Sequence, residues 1–481
     1  DAVSNGNGGR VIVWADETTR FNGNITARGG LFSGNGGFVE VSGKQSLDFQ
    51  GLVDLRSTFG IAGTLLLDPT DITISAGADA GGTLGGVFTP SAATSTINNG
   101  TLQTQLGLTN VTISTASGFT KAGNITVAAP IVWANKNSLT LNANNDININ
   151  NIITTQGGNL TLNADSDNSN GGNLTINSTI STNGGNFLGI GKGNGSNGNG
   201  INISGIIDAG GGNINLDGRG ENATFGSNNG ILLSGNVITT GSGNITLNGI
   251  GGNGTFILNE GIVVTGNANV TSVNGNISLT GTGSGTASGN NGININTNST
   301  VKSIGTGNIT LNGTGGNGTF NNRGISITNT STVQSAGGNI NLIGIGAGTL
   351  TNNIGVIIDI ATVQSTGGNG TITITGTGGN GTSGNSGISI SPTGIVQSQN
   401  GDIILTGTGK GTVDNNRGIV VQGLVESTGT GNLTLSGVGG NGNDGNQGIL
   451  VGAGKVSAFS GNVSLTGTGG GTGVVNEGIY V

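Results

Sequence analysis

Residues 307–327 read GNITLNGTGGNGTFNNRGISI, and this stretch decides the fold. Ile309 and Leu311 alternate with polar residues, so a period of two places both side chains on one face of a β-strand. A glycine-rich segment follows, and then Gly324-Ile325 opens a second strand. A third short strand is centred on Val333. One repeat of the chain therefore reads strand, loop, strand, strand.

The same pattern recurs nine times from residue 213 onward, with steps of 30 to 32 residues. The first apolar residues of the nine repeats are Ile214, Ile245, Ile277, Ile309, Ile340, Ile372, Ile403, Leu433 and Val463. Each strand is most similar to the strand one repeat later, so like strands are expected to stack in parallel and in register. A sandwich pairs sequence neighbours, and a propeller blade needs about 40 residues. The repeat therefore predicts an all-β protein, a right-handed parallel β-helix (β-solenoid).

Residues 1–212 follow the same logic with shorter coils, such as the one that begins at Phe38-Val39-Glu40-Val41. Counting first strands over the whole chain predicts about 16 coils, divided into an N-terminal part (1–212) and the nine repeats (213–481). Residues 75–110 interrupt the pattern and predict a small excursion. Within it, Thr96–Leu106 is expected to form a short helical turn that packs Ile97, Leu102 and Leu106 inward.

In each of the nine repeats, an asparagine lies three residues before the branched residue that opens the second strand. The column comprises Asn228, Asn259, Asn290, Asn322, Asn353, Asn385, Asn416, Asn446 and Asn476. An amide can bond the equivalent amide one coil away, and Asn tolerates a left-handed backbone, so we expect a structural ladder. The alternative is a stripe that binds glycans or ions.

Composition limits the functions that are possible. The formal net charge is −8 and no basic cluster exists, so a nucleic-acid partner is not expected. No apolar run reaches the length of a transmembrane segment. Cysteine is absent, which excludes disulfides, thiolate zinc sites and cysteine catalysis. The chain also starts without a signal peptide and ends within a repeat, so we expect a section of a longer polypeptide.

Three N-terminal phrases resemble large bacterial exoproteins. They are Gly6-Asn7-Gly8-Gly9-Arg10-Val11-Ile12-Val13-Trp14-Ala15-Asp16, Gly34-Asn35-Gly36-Gly37-Phe38-Val39-Glu40-Val41-Ser42-Gly43-Lys44 and Gly63-Thr64-Leu65-Leu66-Leu67-Asp68-Pro69. Residues 1 to about 160 are similar to the filamentous-haemagglutinin-like proteins of two-partner secretion, most of all to cyanobacterial members. The resemblance implies export through an outer-membrane transporter, an extracellular location at the bacterial surface, and a role in adhesion or aggregation.

Other β-helices are polysaccharide-degrading enzymes, which need clustered acids with calcium or a basic residue on one face. This chain has no His and its 14 Lys and Arg are scattered, so we expect no enzyme and no catalytic, cofactor or metal site. Asp68 and Asp71 flank Pro69, which favours a turn or capping role for both.

Two further groups of charged residues have simple interpretations. Gly439–Asp444 matches a calcium-binding word, but the equivalent positions of other repeats lack the acid, which argues against calcium. Glu260, Arg323, Arg417 and Glu477 share one repeat position several coils apart, so solvated charges are the expected state.

The sequence therefore predicts a secreted, adhesin-like cell-surface rod. Its partners are expected to be other copies of itself or neighbouring surface rods, with glycans as candidate contacts. The alternative is a structural subunit of an extracellular filament, sheath or surface layer.

Overall fold

The fold is an all-β parallel β-solenoid of about 16 coils, as the repeats predict, with one short helix among the described residues. The computed structural model describes residues 1–77, 83–85, 87–89, 94–115, 122–168, 171–193, 198–222 and 227–481. It divides into two compact units. Unit 1 comprises Asp1–Gly191 and Gly205–Asn213, and unit 2 comprises Lys192–Ser204 and Ile214–Val481. The one helix of the described residues is too short and too polar to cross a membrane.

Unit 2 is built from three parallel sheets, one for each strand of the repeat. Sheet 1 contains Ile214–Arg219, Ile245–Ile250, Ile277–Thr282, Ile309–Thr314, Ile340–Ile345, Ile372–Thr377, Ile403–Thr408, Leu433–Val438 and Val463–Thr468. Sheet 2 contains Ile201–Ile203, Ile231–Leu233, Ile262–Val264, Ile293–Ile295, Ile325–Thr328, Val356–Asp359, Ile388–Ile390, Ile419–Val421, Ile449–Val451 and Ile479–Tyr480. Sheet 3 contains Asn236–Thr239, Asn269–Ser272, Thr300–Ser303, Thr332–Ser335, Thr362–Ser365, Ile395–Ser398, Leu424–Ser427 and Lys455–Ala458.

The core of unit 2 consists of stacked branched residues in register. Ile277 lies beside Ile309, which in turn lies beside Ile340, and all three are almost or completely buried. The intervening Thr310 faces outward. This alternation confirms the predicted inward and outward faces, and burial of each large side chain is worth about 1.5–3 kcal/mol.

The glycines that follow the apolar pair have a structural cause. Gly313 lies against Gly324 at the start of sheet 2, and a Cβ on Gly313 would fall 2.2 Å from the Gly324 carbonyl oxygen. Only glycine permits this approach of two backbones. Sheet 1 strands extend three residues beyond the predicted apolar pair, to Thr314 in this coil.

Unit 1 forms the same three sides less regularly. Its sheet 1 contains Arg10–Ala15, Phe38–Gly43, Thr64–Asp68, Asn110–Ser114, Leu139–Asn142, Leu160–Asn163 and Phe187–Lys192. Its sheet 2 contains Thr94–Asn98, Asp71–Ser75, Ile125–Val127, Ile147–Ile149 and Leu174–Ile176, and its sheet 3 contains Ile131–Trp133, Ile153–Thr155, Ile180–Ser181 and Ile206–Asp208. The remaining parallel pairs are Thr18–Phe21 with Ser46–Phe49 and Asn24–Thr26 with Leu52–Asp54. Thr83–Gly85 and Val87–Thr89 form an antiparallel pair.

The predicted excursion at 75–110 lies partly outside the described residues. Its helix is real, but it begins later than expected, at Asn99 and not at Thr96, and ends at Leu106. Ile97 belongs to the preceding strand, and the Asn98 side chain caps the helix by accepting bonds from the Gly100 and Thr101 amides. Ile97, Leu102 and Leu106 are buried, as predicted.

Candidate interaction surfaces

The asparagine column of unit 2 forms the predicted ladder. The backbone N–H and the side-chain amide of Asn353 both donate to Oδ1 of Asn385, at 3.0 and 3.1 Å. Asn322 donates in the same two ways to Oδ1 of Asn353. Eight of the nine side chains, all except that of Asn476, are completely buried. Because the amides lie in the interior and bond one another, the column is an internal support.

The left-handed backbone lies one position earlier than predicted. Positive φ values of 58° to 63° occur at Leu258, Asn321, Asn352 and Asn415, each of which directly precedes a ladder asparagine. Glycine holds the same position in other coils, such as Gly289 with φ of 75°. The turn therefore requires a left-handed residue, and the ladder residue that follows it requires an amide.

The prediction of solvated charges at the next position is wrong for Glu260. Its side chain is buried, and Oε1 accepts bonds of 2.6 and 2.9 Å from the amides of Asn291 and Asn294 one coil away. Burial raises the pKa of Glu260 to about 7, although the two amides and Arg323 oppose the shift. Arg323 is also largely withdrawn from solvent, and burial lowers its pKa. Glu477 is exposed, as expected.

Arg417 stands in a polar groove beside sheet 2. Its Nε donates to Oε1 of Gln447 and its Nη2 to Oδ1 of Asn415, both at 2.6 Å. Burial lowers its pKa, yet a guanidinium stays charged in proteins. The groove has a volume of about 560 Å³. Its lining residues are Thr351, Asn352, Ile354, Ser383, Gly384, Ser386, Ser389, Asn415, Arg417, Val420 and Gln422.

Two kinds of residue line the groove: residues of the left-handed turns and outward residues of sheet 2. Asn352 and Asn415 carry the left-handed turns on one side, while Ser389 and Val420 face outward from sheet 2 on the other. The lining therefore offers hydroxyls, amides and one fixed guanidinium over three consecutive coils. Such a set suits hydrogen bonding to a hydroxylated ligand with a negative group.

A second surface is the outer face of sheet 1 in unit 2. We call the outward residues of its strands from Ile245–Ile250 to Val463–Thr468 the threonine face. Register aligns these residues in three columns of eight, for example Asn248, Thr280, Asn312, Ile343, Thr375, Thr406, Ser436 and Thr466. The face holds thirteen Thr, three Ser, three Asn and five Ile or Val, and none of the 24 side chains is charged or buried.

The other outer faces of unit 2 differ from the threonine face. Sheet 3 presents Lys302, Glu426 and Lys455 outward. Lys455 donates to Glu426 at 3.1 Å, and that contact lowers the pKa of Glu426. The charged side chains of unit 2's second and third sheets therefore lie away from the threonine face.

Two of the three acidic residues singled out in the sequence accept hydrogen bonds from backbone amides. Asp71 accepts bonds of 2.8 Å from the amides of Gly123 and Asn124, which confirms its capping role. Asp68 ends a sheet 1 strand, where burial and then the charge of Glu40 raise its pKa to about 6. Asp444 accepts from the Val474 amide at 2.8 Å. Within the described residues no three His, Cys, Asp or Glu side chains come together at one place.

Comparison with known proteins gives no name for these surfaces. No protein-family model matches the chain, and no curated protein matches it either. Any function must therefore be argued from the surfaces themselves.

Sequence reasoning found the ladder but missed the groove and the buried Glu260. A signal for the groove was present, because Asn321, Asn352 and Asn415 recur before ladder asparagines at a place where glycine also occurs. That alternation of Asn and Gly indicates a left-handed turn and hence a fixed loop wall.

Proposed function

We propose that this β-solenoid chain belongs to an exported bacterial surface protein and that it acts as an adhesin that contacts glycans. The observation that carries the proposal is the polar groove around Arg417. Its size lies within the range of small-ligand sites, which is about 300–1,000 Å³. Its lining places one cation among hydroxyl and amide groups.

The chemistry favours an acidic sugar over other ligands. A guanidinium binds a carboxylate or sulfate through paired hydrogen bonds, and its other neighbours can satisfy sugar hydroxyls. Gln447 and Asn415 hold Arg417 in place before a ligand arrives, which reduces the ordering cost of binding. Single contacts of this kind are weak, so adhesion would rest on several molecules acting together.

Resemblance of residues 1 to about 160 to filamentous-haemagglutinin-like exoproteins supports the same proposal. It adds an outer-membrane transporter as the partner in export and the outer cell surface as the location. The adhesive role and the location are both parts of the proposal.

An array of neutral and acidic oligosaccharides tests the adhesin directly. We expect the full chain, displayed at high density, to bind acidic members, and Arg417→Gln to weaken that binding at least tenfold. Lys302→Gln, which removes a charge from sheet 3, is the matched control and should bind as the unchanged protein does. Absence of binding to every glycan at high density would rule out the adhesin.

A second candidate is a structural subunit of a filament, sheath or surface layer. The threonine face favours it, because a regular uncharged face of 24 side chains, none of them buried, provides a surface for lateral packing. Electron micrographs that show only single particles at every concentration would exclude this role.

A further inference from the structure

The threonine face of unit 2 has a regular coil-to-coil spacing that the groove lacks. Its columns run straight from coil to coil, because consecutive strands pair residue for residue: Thr282 with Thr314, Thr314 with Ile345, and Ile345 with Thr377. Parallel strands lie about 4.8 Å apart, so the face repeats at that interval over eight coils, about 38 Å.

The side chains on this face are rigid and partly apolar. Eighteen of the 24 are Thr, Ile or Val, which are β-branched and therefore restricted at χ1. Each Thr presents a methyl group beside its hydroxyl. A rigid face loses little side-chain entropy when it is covered, and its methyl groups gain by leaving water.

We propose that the threonine face packs against the threonine face of a second copy of this chain. This inference rests on the proposed function, since lateral packing serves a protein that is displayed in many copies at a surface. The repeat distance identifies the partner. Over eight coils only a partner with the same 4.8 Å spacing keeps every column in contact, and another copy has that spacing by construction.

Size and charge agree with such a contact. Eight coils at about 4.8 Å and six residues at about 3.3 Å give a face of about 750 Å² per copy. Two such faces bury about 1,500 Å², which falls within the range of stable specific interfaces. The net charge of −8 opposes association in general, but none of that charge lies on this face. Two identical faces related by a two-fold axis form a closed pair.

Surface polysaccharide is the competing occupant, and the face fits it less well. Sugar rings are commonly held by aromatic side chains, and the threonine face has none. It also has no charged side chain that could bind an acidic sugar unit.

Sedimentation velocity of the full chain over a range of concentrations tests the inference. Asn312→Lys with Thr375→Lys places two charges in the middle column of the face. Gln334→Lys with Gln397→Lys places two charges on the outer face of sheet 3, two coils apart as in the face variant, and is the matched control. The expected results are a dimer for the unchanged protein, at least tenfold weaker association for the face variant, and unchanged association for the control. Added salt should not dissociate the dimer, because no ion pair holds it.

Several results would overturn the inference. They are a protein that stays monomeric at all concentrations, equal loss of association in both variants, or a face variant that loses glycan binding but keeps its self-association. The glycan array separates this proposal from the adhesin. A face variant that no longer associates but still binds acidic glycans supports the threonine face, whatever the fate of the Arg417 groove.

Discussion

Unit 1 and unit 2 have the same type of backbone coil but satisfy its hydrogen-bonding groups in different ways. In unit 2 one buried asparagine per coil repeats, and so do the glycine contacts and the apolar pairs. In unit 1 asparagines also bond from coil to coil, as Asn186 does to Asn159, but part of the backbone depends on a single side chain outside any repeat. Gln105 of the helix accepts a bond from the Val53 amide and donates one to the Gly51 carbonyl oxygen, both at 3.2 Å.

The outer faces of the two units also differ, in the charge that they present. Sheet 1 of unit 1 presents Trp14, Glu40 and Asp68 outward. In unit 2 the first strand of sheet 1 presents Asp217 and Arg219, but the threonine face beyond it has no charged side chain. Coil-to-coil identity inside a solenoid gives stability, but nothing in the core requires identity outside. An outer face that stays uncharged over eight coils therefore points to a contact outside the molecule.

The largest expected effect separates the inside of unit 2 from its outside. Ile325→Asn places an amide without a partner in the core and should lower the free energy of unfolding by about 2–5 kcal/mol. Thr310→Asn adds an amide to the exposed face and should change it by less than about 0.5 kcal/mol. Urea denaturation measures both. Equal losses would disprove the inward and outward assignment.

Breaking the asparagine ladder should lower the free energy of unfolding somewhat less than Ile325→Asn does. Asn353→Ala removes the acceptor for two donors of Asn322 and should lower the free energy of unfolding by about 3 kcal/mol. Asn339 accepts from the Thr371 amide at the exposed surface, where water can replace it. Asn339→Ala should therefore cost about 1 kcal/mol or less. A ladder variant as stable as this control would show that the buried amides are not a support.

The equivalent test in unit 1 concerns one residue. Gln105→Leu leaves the Val53 amide and the Gly51 carbonyl without their partner and should cost about 2 kcal/mol. Gln103 accepts from the amide of Val132 beside solvent, so Gln103→Leu should cost less. Similar losses for the two variants would remove the special role of Gln105. Thermal unfolding of each variant gives the comparison.

Glu260 makes part of unit 2 sensitive to pH. Its folded pKa of about 7 lies above the ordinary 4.5, so the folded protein retains a proton that the unfolded chain loses. Its stabilising effect is complete below pH 4.5 and is lost as pH rises through 7. Glu260→Gln keeps an oxygen that can accept from Asn291 and Asn294 and should be more stable than the unchanged protein at pH 8, by about 2 kcal/mol.

The pH test has a definite contrary result. Stability curves of both proteins between pH 4 and pH 8 should diverge only as the pH rises. A difference that is constant over this range would mean that the Glu260 carboxyl titrates normally and is not held in the buried cluster.

The smallest effect concerns the left-handed turn. Leu258 has φ of 63°, a conformation that strains a residue with a side chain, so Leu258→Gly should stabilise unit 2 by about 1 kcal/mol. Gly289 holds the same position one coil later, and Gly289→Leu should destabilise by at least as much. Melting temperatures that shift in the same direction for both variants would contradict this account of the turn.

Much of the fold could be predicted from the sequence because the same interactions recur in every repeat. Ile309, Leu311 and the asparagine column could be assigned because position in the repeat alone determines burial. Glu260 could not, since its burial depends on its bonds to Asn291 and Asn294 in the neighbouring coil, which position in the repeat does not specify. Gln105 was missed because its partners lie about 50 residues earlier in a unit without a regular repeat. The groove depends on loop conformation, which the spacing of apolar residues does not specify.

Location is the most direct test of a surface adhesin. Antibodies against unit 2, applied to intact cells of the organism that makes the protein, should label the outer surface without permeabilisation, and electron microscopy should show the label in clusters. Labelling that appears only after the cells are permeabilised would contradict the account.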